Sequence, residues 1–353
     1  MSLNETSEKS HMSFVLPNNV PNRFRGARVL ITGGLGFIGS NLAIRLVHEG
    51  AEVTLIDSMI PEYGGHLWNI EPVREQVRVN IADVRDEHAM KYLLQHRDYL
   101  FNLAGQTSHL DSMDHPYQDL DINAKAQLSL LECCRQHNRD IKIVFAGTRQ
   151  IYGKPRYLPV DEQHPLDPVD VNGINKLAGE LYHQLYHRVY GIRAVVLRLT
   201  NTYGPRMRVV DARQTFLGIW IRHLLESVPI RVYGDGRQIR DFNYVDDVVE
   251  AMLGAALSQE ADGETFNLGD EHPLSLKETA ELLIQCHGCG SYKLVPFPPE
   301  RKSIDIGDYY GDFRKISESL SWKPSVSLAD GLDRTLNYYA EHGERYWSSA
   351  VAA

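Results

Sequence analysis

The chain has 353 residues, of which 43% are apolar and 24% charged, enough for one or two buried cores in a water-soluble protein. Its net charge is -9, with no long basic run, which argues against nucleic acid as the main partner. No apolar run approaches a membrane span and no charged-then-apolar leader opens the chain, so no membrane partner and a cytoplasmic location are expected. Met1 to about Asn22 is polar, aperiodic and turn-rich, and residues 1–24 are set aside as a disordered tail.

Arg28 to Asp57 carries the densest signal. Arg28 to Thr32 reads as a short buried strand. Gly33, Gly34, Gly36 and Gly39 follow, around Leu35, Phe37 and Ile38. Ile38 to His48 has helical apolar spacing through Leu42, Leu46 and Val47. Glu52 to Ile56 is a second strand, and it runs into Asp57. Strand, glycine turn, helix and a strand closing on an acid make a dinucleotide-binding fingerprint. Glycines permit the tight turn and let backbone approach a pyrophosphate. The helix N-terminus offers unpaired N–H groups and a positive dipole end. The acid accepts hydrogen bonds from ribose hydroxyls. A carboxylate at 57 repels a 2′-phosphate, and Ser58, Met59 and Ile60 supply no cation to rescue one, so the expected cofactor is NAD rather than NADP. A structural glycine turn in another α/β protein is the alternative on this stretch alone.

Pro61 to Pro72 reads as a loop and Val77 to Ile81 as a third strand, followed by Asp83. Glu87 to His96 has helical spacing, and Tyr99 to Leu103 is a fourth strand ending in NLAGQTSHLDSM. Pro116 to Asn138 is expected to be one long helix; its Cys133 and Cys134 read as packing residues. Ile141 to Ala146 is almost wholly apolar, as a strand covered on both faces would be. Asn172 to Tyr190 is a second long helix and Ala194 to Leu199 a sixth strand. Past Thr200 the pattern loosens: helices over 215–227, 245–257, 275–287 and 328–339, strands over 230–233 and 264–268, and a loop at Pro296, Pro298 and Pro299. Cys286 and Cys289 form a C-x-x-C without a second half, so no metal is expected. Four cysteines so clustered fit a reducing compartment.

Alternating strands and helices imply an α/β fold, a doubly wound parallel Rossmann sheet with a smaller C-terminal α/β substrate lobe. Residues 25–200 are read as the NAD-binding domain, with 240–268 returning to it, and 201–239 and 269–345 as the substrate lobe. The cleft is expected at the carboxyl ends of the strands. The 172–190 helix has two apolar stripes, Leu177, Leu181, Leu185 and Val189 beside Ala178, Tyr182 and Tyr186. One covers the sheet and the other calls for a partner helix. A homodimer through 116–138 and 172–190 is expected, against the alternative that one chain buries both.

Taken together, these residues resemble the extended short-chain dehydrogenase/reductase superfamily, and within it the NAD-dependent nucleotide-sugar epimerases, dehydratases and decarboxylases. The resemblance runs from about Ala27 to Tyr339. It rests on TGGLGFIGS at Thr32 to Ser40, Asp57, Asp83 with Val84, NLAGQ at Asn102 to Gln106, Asn123, TRQIYG at Thr148 to Gly153, Lys176 in NKLAGE, NTYGPRM at Asn201 to Met207, and YGDGRQIRDFNYVDDV at Tyr233 to Val248. It implies a bound NAD and a nucleoside-diphosphate sugar in the cleft. By that resemblance Gly33, Gly36, Phe37, Ile38 and Gly39 hold the pyrophosphate and Asp57, with Ser58 beside it, the ribose. Asp83 and Val84 meet the adenine, and Leu103, Ala104 and Gln106 run beside the cofactor. Thr148 bonds the reacting sugar oxygen and Lys176 holds the nicotinamide ribose. Asn201 and Arg240, with Arg301 as a weaker candidate, contact the diphosphate.

One departure bears on mechanism. Such enzymes carry Tyr-x-x-x-Lys, in which the ammonium lowers the phenol's pKa from about 10 so that it takes a hydroxyl proton as hydride leaves for NAD. Here Asn172 stands four residues before Lys176, and an amide does not titrate near neutral pH. The Asp-Glu pair that follows the threonine in the resembling dehydratases is Arg149 and Gln150 here, which counts against a 4,6-dehydratase. Three readings follow. The first is an NAD-dependent epimerase, with Thr148, Lys176 and Asn172 at the reacting centre and the proton taken by Thr148 backed by Lys176, or by Tyr152 or His109 through a water. The second is a catalytically silent sensor of NAD and nucleotide sugar. The third is a dehydratase or decarboxylase with a relocated acid–base group, or another non-redox elimination or isomerisation.

Overall fold

The computed structural model describes residues 22–213 and 215–347. The expected tail lies outside them as far as residue 21. Just beyond it, Phe24 is buried with its ring edge toward Tyr99, and Arg23 pairs with the buried Glu49 at 2.6 Å.

In chain order the strands are β1 (Arg28–Thr32), β2 (Glu52–Asp57), β3 (Arg78–Ile81), β4 (Tyr99–Asn102), β5 (Lys142–Thr148), β6 (Arg193–Leu199), β7 (Asn201–Tyr203), β8 (Ile230–Tyr233), β9 (Ile239–Arg240), β10 (Phe242–Tyr244), β11 (Thr265–Asn267), β12 (Leu274–Ser275) and β13 (Tyr292–Val295). The helices are α1 (Phe37–His48), α2 (Glu87–Leu93), α3 (His109–Asp114), α4 (Pro116–Leu120), α5 (Ala126–His137), α6 (Val171–Tyr190), α7 (Phe216–Leu225), α8 (Val245–Leu257), α9 (Leu276–His287), α10 (Pro299–Lys302), α11 (Arg314–Leu320), α12 (Leu328–His342) and α13 (Glu344–Trp347).

Seven strands form one parallel sheet in the order β11-β6-β5-β4-β1-β2-β3. The chain winds outward from β1 in one direction, then returns to β4 and winds in the other. This is the expected doubly wound Rossmann sheet, and the order reverses between β1 and β4, where such sheets open a crevice at their carboxyl ends. Val144, Phe145, Val195 and Leu197 are buried because helices cover both faces, which is why β5 and β6 are continuous apolar runs. Each such side chain contributes about 1.5–3 kcal/mol relative to exposure.

Past β6 the chain builds short pairs: β7 with β10, β8 with β13, and β9 antiparallel to β12. A second core of Tyr203, Trp220, Val232, Phe242, Leu283 and Leu336 binds them to α7, α9 and α12.

Some expected elements differ. The expected helix over 116–138 is continuous, with a π-type stretch at Asp121–Lys125 joining α4 to α5; the short helix α3 ahead of it was not expected. Ser108 caps α3 by accepting the Asp111 amide at 3.2 Å, and His115 leaves helical geometry before Pro116, which opens α4. The 61–72 loop is largely 3-10 turns, Pro61–Tyr63 and Leu67–Gln76. The proline loop contains α10, with Pro299 in its first turn. Strand β13 and helix α11 were not expected. Among the described residues no helix is long and apolar enough to cross a membrane.

Candidate active site

The glycine turn packs backbone against backbone. Gly33 has φ +66°, and a Cβ there would lie 3.0 Å from the Ala104 amide nitrogen. A Cβ on Gly39 would overlap the Gly33 carbonyl oxygen and lie 2.9 Å from Gly34 Cα. Only glycine lets the first turn of α1 come so close to the loop. At the end of β2, Asp57 accepts the Leu35 and Met59 amides at 3.0 and 2.9 Å. Burial nevertheless holds its carboxyl above the ordinary range, those amides opposing. A cavity runs over this turn, lined by Gly33, Gly36, Phe37, Ile38, Gly39, Asp57 and Ser58, and continues past Asp83, Val84, Leu103 and Ala104 to Thr148, Asn172, Lys176 and Asn201. A bare backbone cradle at a helix N-terminus, an acid at the next strand end and no cation at 58–60 fit NAD.

Gln106 does not belong with them. It is 2% exposed and outside the cavity lining, because its side chain turns inward to donate to the Ser108 carbonyl at 2.8 Å and to accept from Asn172 at 3.1 Å. Asp83 lines the cavity with its carboxylate already paired to Arg85 at 2.6 Å, which holds it below the usual range.

At the other end, Thr148 closes β5 and accepts the Gln150 amide at 3.2 Å, starting the turn Arg149–Tyr152. Lys176 reaches up from α6 to within 3.4 Å of the Ala146 carbonyl, through space that Gly105 leaves open: a Cβ there would sit 2.7 Å from Nζ. Burial pushes the ammonium down to about 8, with Asp119 opposing. Asn172 is 2% exposed, and its Nδ2 lies 2.8 Å from the Gln106 carbonyl and 3.0 Å from Asp119 Oδ2. Its two donors are spent on scaffold. Tyr152 is also excluded as a base. It is fully buried, lines neither cavity, donates to Asn267 at 2.6 Å and contacts Arg198; burial pushes its phenol far above its ordinary value.

A second cavity opens toward the smaller lobe and shares His109, Arg149, Asn201 and Thr215 with the first. Arg240 and Arg301 both line it. Arg240 is largely engaged, donating to the Ile239 and Gly307 carbonyls with Asp305 at 3.6 Å; burial, then Arg149, push it down to about 10. Arg301 lies 5.9 Å above the Tyr233 ring. Two residues at the junction were not anticipated as site residues. Arg149 donates to Asn201 Oδ1 at 2.9 Å and stacks 5.3 Å from the Tyr309 ring, while its buried Nε has no partner. Asp170, the cap of α6, lies 3.0 Å from His109. Arg231 joins the lining from β8. Among the described residues no cluster of His, Cys, Asp or Glu is placed to hold a metal.

Residues 29–269 match the NAD dependent epimerase/dehydratase family. A putative UDP-glucose 4-epimerase of Methanocaldococcus jannaschii is 35% identical over 312 residues, 88% of this chain and 97% of that one. A crystal structure of UDP-glucose 4-epimerase with UDP-glucose from Thermotoga maritima superposes with a TM-score of 0.82 at 31% identity, covering 90% of this chain and all of that one. A dTDP-glucose 4,6-dehydratase from Streptomyces venezuelae, with NAD bound, superposes with a TM-score of 0.82 at 27% identity, over 91% and 98% of the two chains.

Proposed function

This chain belongs to the NAD dependent epimerase/dehydratase family, and on that premise we propose that it is a nucleotide-sugar epimerase acting by transient oxidation of a sugar hydroxyl. Bound NAD supplies the two-electron chemistry. The chain supplies the rest. Gly33, Gly36 and Gly39, with the amides at the start of α1, cradle the pyrophosphate, and Asp57 takes the ribose hydroxyls. Asp83, Val84, Leu103 and Ala104 wall the adenine and the ring. Lys176 holds the nicotinamide ribose from below, and Thr148 hydrogen-bonds the reacting oxygen. Asn201 and the guanidinium groups of Arg301, Arg231 and Arg240 receive the diphosphate. We read 25–200 with 240–268 as the NAD-binding part and 201–239 with 269–345 as the substrate lobe.

The observation that carries this reading is the junction of the two cavities. One is a dinucleotide cradle, the other has cationic walls, and they meet at His109, Arg149, Asn201 and Thr215, within a continuous lining that includes Thr148 and Lys176. Arg149 and Gln150 leave no carboxylate pair after Thr148, which favours epimerisation over 4,6-dehydration. The spent donors of Asn172 favour a second reading, a silent sensor.

Assembly belongs to the same proposal. Leu181, Leu185 and Val189 on α6 are 47, 41 and 60% exposed, and Tyr117 on the neighbouring α4 is 81% exposed. Two adjoining apolar helix faces suit a second copy of this chain.

The test is to incubate protein of known NAD content with UDP-glucose, UDP-galactose, UDP-N-acetylglucosamine, UDP-glucuronate and dTDP-glucose. Proton NMR should show one of them interconverting with an epimer. Tight binding without any product would replace the epimerase with the sensor. A 4-keto-6-deoxy product would replace it with a dehydratase.

A further inference from the structure

Oxidising a sugar carbinol removes a proton from oxygen, and Asn172 cannot take it. The titratable groups along the cleft reduce to few. Asp57 is bound by two backbone amides and Asp83 by Arg85, both in the stretch that follows the glycine turn. In the second cavity Asp111 pairs with Arg213 at 3.0 Å, Asp211 with Arg208 at 2.6 Å, and Asp305 is held by Gln238 and faces Arg240. Arg149 stays protonated. Lys176, pushed to about 8, is still mostly an ammonium at neutral pH. Tyr63 lines only the first cavity, where burial raises its phenol, and Tyr233 only the second, beneath Arg301; His109 remains, lining both cavities at their junction.

Its position is built. His109 opens α3 immediately after the Ser108 cap. Ser112 bonds back to the His109 carbonyl at 2.7 Å and accepts the Asn172 amide at 3.2 Å, tying α3 to the start of α6. That junction brings Asp170 to His109: Nδ1 lies 3.0 Å from Oδ2, an ion-pair contact without the alignment of a hydrogen bond. Asp170 is itself fixed, accepting the Gly173 amide at 2.6 Å and the Gln150 side chain at 2.8 Å. Burial would raise its carboxyl; the contact with His109 and those donors hold it below the ordinary range instead. The carboxylate faces one imidazole nitrogen and leaves Nε2 for another partner. An acid on one nitrogen and a reactant on the other is the arrangement in which histidine serves as a general base.

We infer that His109 is the acid–base residue of this site and that Asp170 is its positioning residue. This rests on the epimerase reading above. Nε2 accepts the proton of the sugar hydroxyl as C–O becomes C=O, the carbon-bound hydrogen and its electron pair passing to NAD. The imidazolium then returns the same proton when the ketone is reduced on its other face. Protons and electrons balance over the cycle, and Asp170 stabilises the cation between the two halves.

Asp170, the cap of α6, contacts His109, and the charged groups that line the cavities with it include Lys176 from α6, Asp111 from α3, Arg213 from the loop before α7, and Arg149 from the turn after β5. His109→Gln should lower kcat on the active nucleotide sugar about 10²–10⁴-fold with NAD content unchanged. Asp170→Asn keeps an N-cap side chain, so α6 should persist; it should slow turnover about tenfold through kcat with KM unchanged. A readout independent of turnover is carbethoxylation by diethyl pyrocarbonate, located by peptide mass spectrometry. His109 should react in the free protein and be protected by UDP-glucose or whichever nucleotide sugar binds. Turnover by His109→Gln within threefold of wild type, or labelling of His109 unaffected by a bound nucleotide sugar, overturns the assignment and leaves the epimerase reading standing. Absence of both binding and turnover with every nucleotide sugar overturns the two together.

Discussion

Gly39→Ala is the sharpest test of the dinucleotide cradle. The added methyl would overlap the Gly33 carbonyl oxygen and stand 2.9 Å from Gly34 Cα and 3.0 Å from the Gly33 carbonyl carbon. These are backbone atoms and cannot rotate away. Gly33 has little room to retreat, because a Cβ there would already lie 3.0–3.1 Å from the Leu103–Ala104 backbone. Relief therefore requires α1 to slide outward, at about 1–3 kcal/mol for overpacking. Such a slide withdraws the amides that would grip a pyrophosphate. The matched control is Gly254→Ala in α8, where a Cβ meets nothing within 4 Å. Alanine there should stabilise the helix by about 0.5–1 kcal/mol. The assay is NAD released on denaturation, quantified by chromatography, beside thermal melting of each variant. The expected outcome is a Gly39→Ala protein that melts earlier and purifies with little NAD, and a Gly254→Ala protein that melts later with a full complement. Undiminished NAD and an unchanged melting temperature in Gly39→Ala would refute the reasoning.

Leu185→Asp places a carboxylate in the proposed helix-face contact. Light scattering should show a dimer of the wild type become a monomer, weakened by about 3 kcal/mol or more; a wild-type monomer at micromolar concentration would count against the contact. Asn172→Tyr loses the donors shared by Gln106 and Asp119 and needs room at a buried position, so it should cost about 1–3 kcal/mol without raising turnover. Faster turnover at an unaltered melting temperature would contradict that. Asp241 is fully enclosed, and burial raises it from 3.8 to about 6, against bonds from Thr200 and the Gly311 amide. A raised folded pKa means its contribution is fully present below the unfolded value and lost as pH rises through about 6. Relative to Asp241→Asn, wild-type stability should therefore fall between pH 4 and pH 7, by up to about 3 kcal/mol for a two-unit shift at 1.36 each. Parallel melting curves across that range would refute the sign.

What could be read from the residues alone was what sits close in sequence. The glycine turn and Asp57 span a single strand-turn-helix-strand unit, so spacing sufficed. The α6 stripe was visible because twenty residues show a clear helical period. Helix α3 left no signal because His109–Asp114 is only six residues long, too short to show a helical period before Pro116 opens the next helix. The resemblance sets Gln106 with Ala104 beside the cofactor, yet Ala104 lines the cavity and Gln106 does not. The chain turns after β4, and the inward pull of Ser108 and Asn172 was invisible. Strands of two to four residues, such as β9, β12 and β13, are too short to show alternation. His109 and Asp170 stand sixty-one positions apart and meet only because Ser112 ties α3 to α6. Arg149 and Asn201, fifty-two apart, meet because β5 and β6 end side by side.

The sheet's outermost strand beside β6 is β11, whose first residue is 265 of 353. A ribosome must therefore release the whole stretch between β6 and β11 before β6 gains its outer neighbour. Until then β6 presents an unpaired edge over Val196, Leu197 and Arg198, a template on which a neighbouring nascent chain could add its own strand. Nonsense or frameshift products ending before residue 265 should accordingly be found in inclusion bodies or degraded, rather than as a free-standing dinucleotide domain.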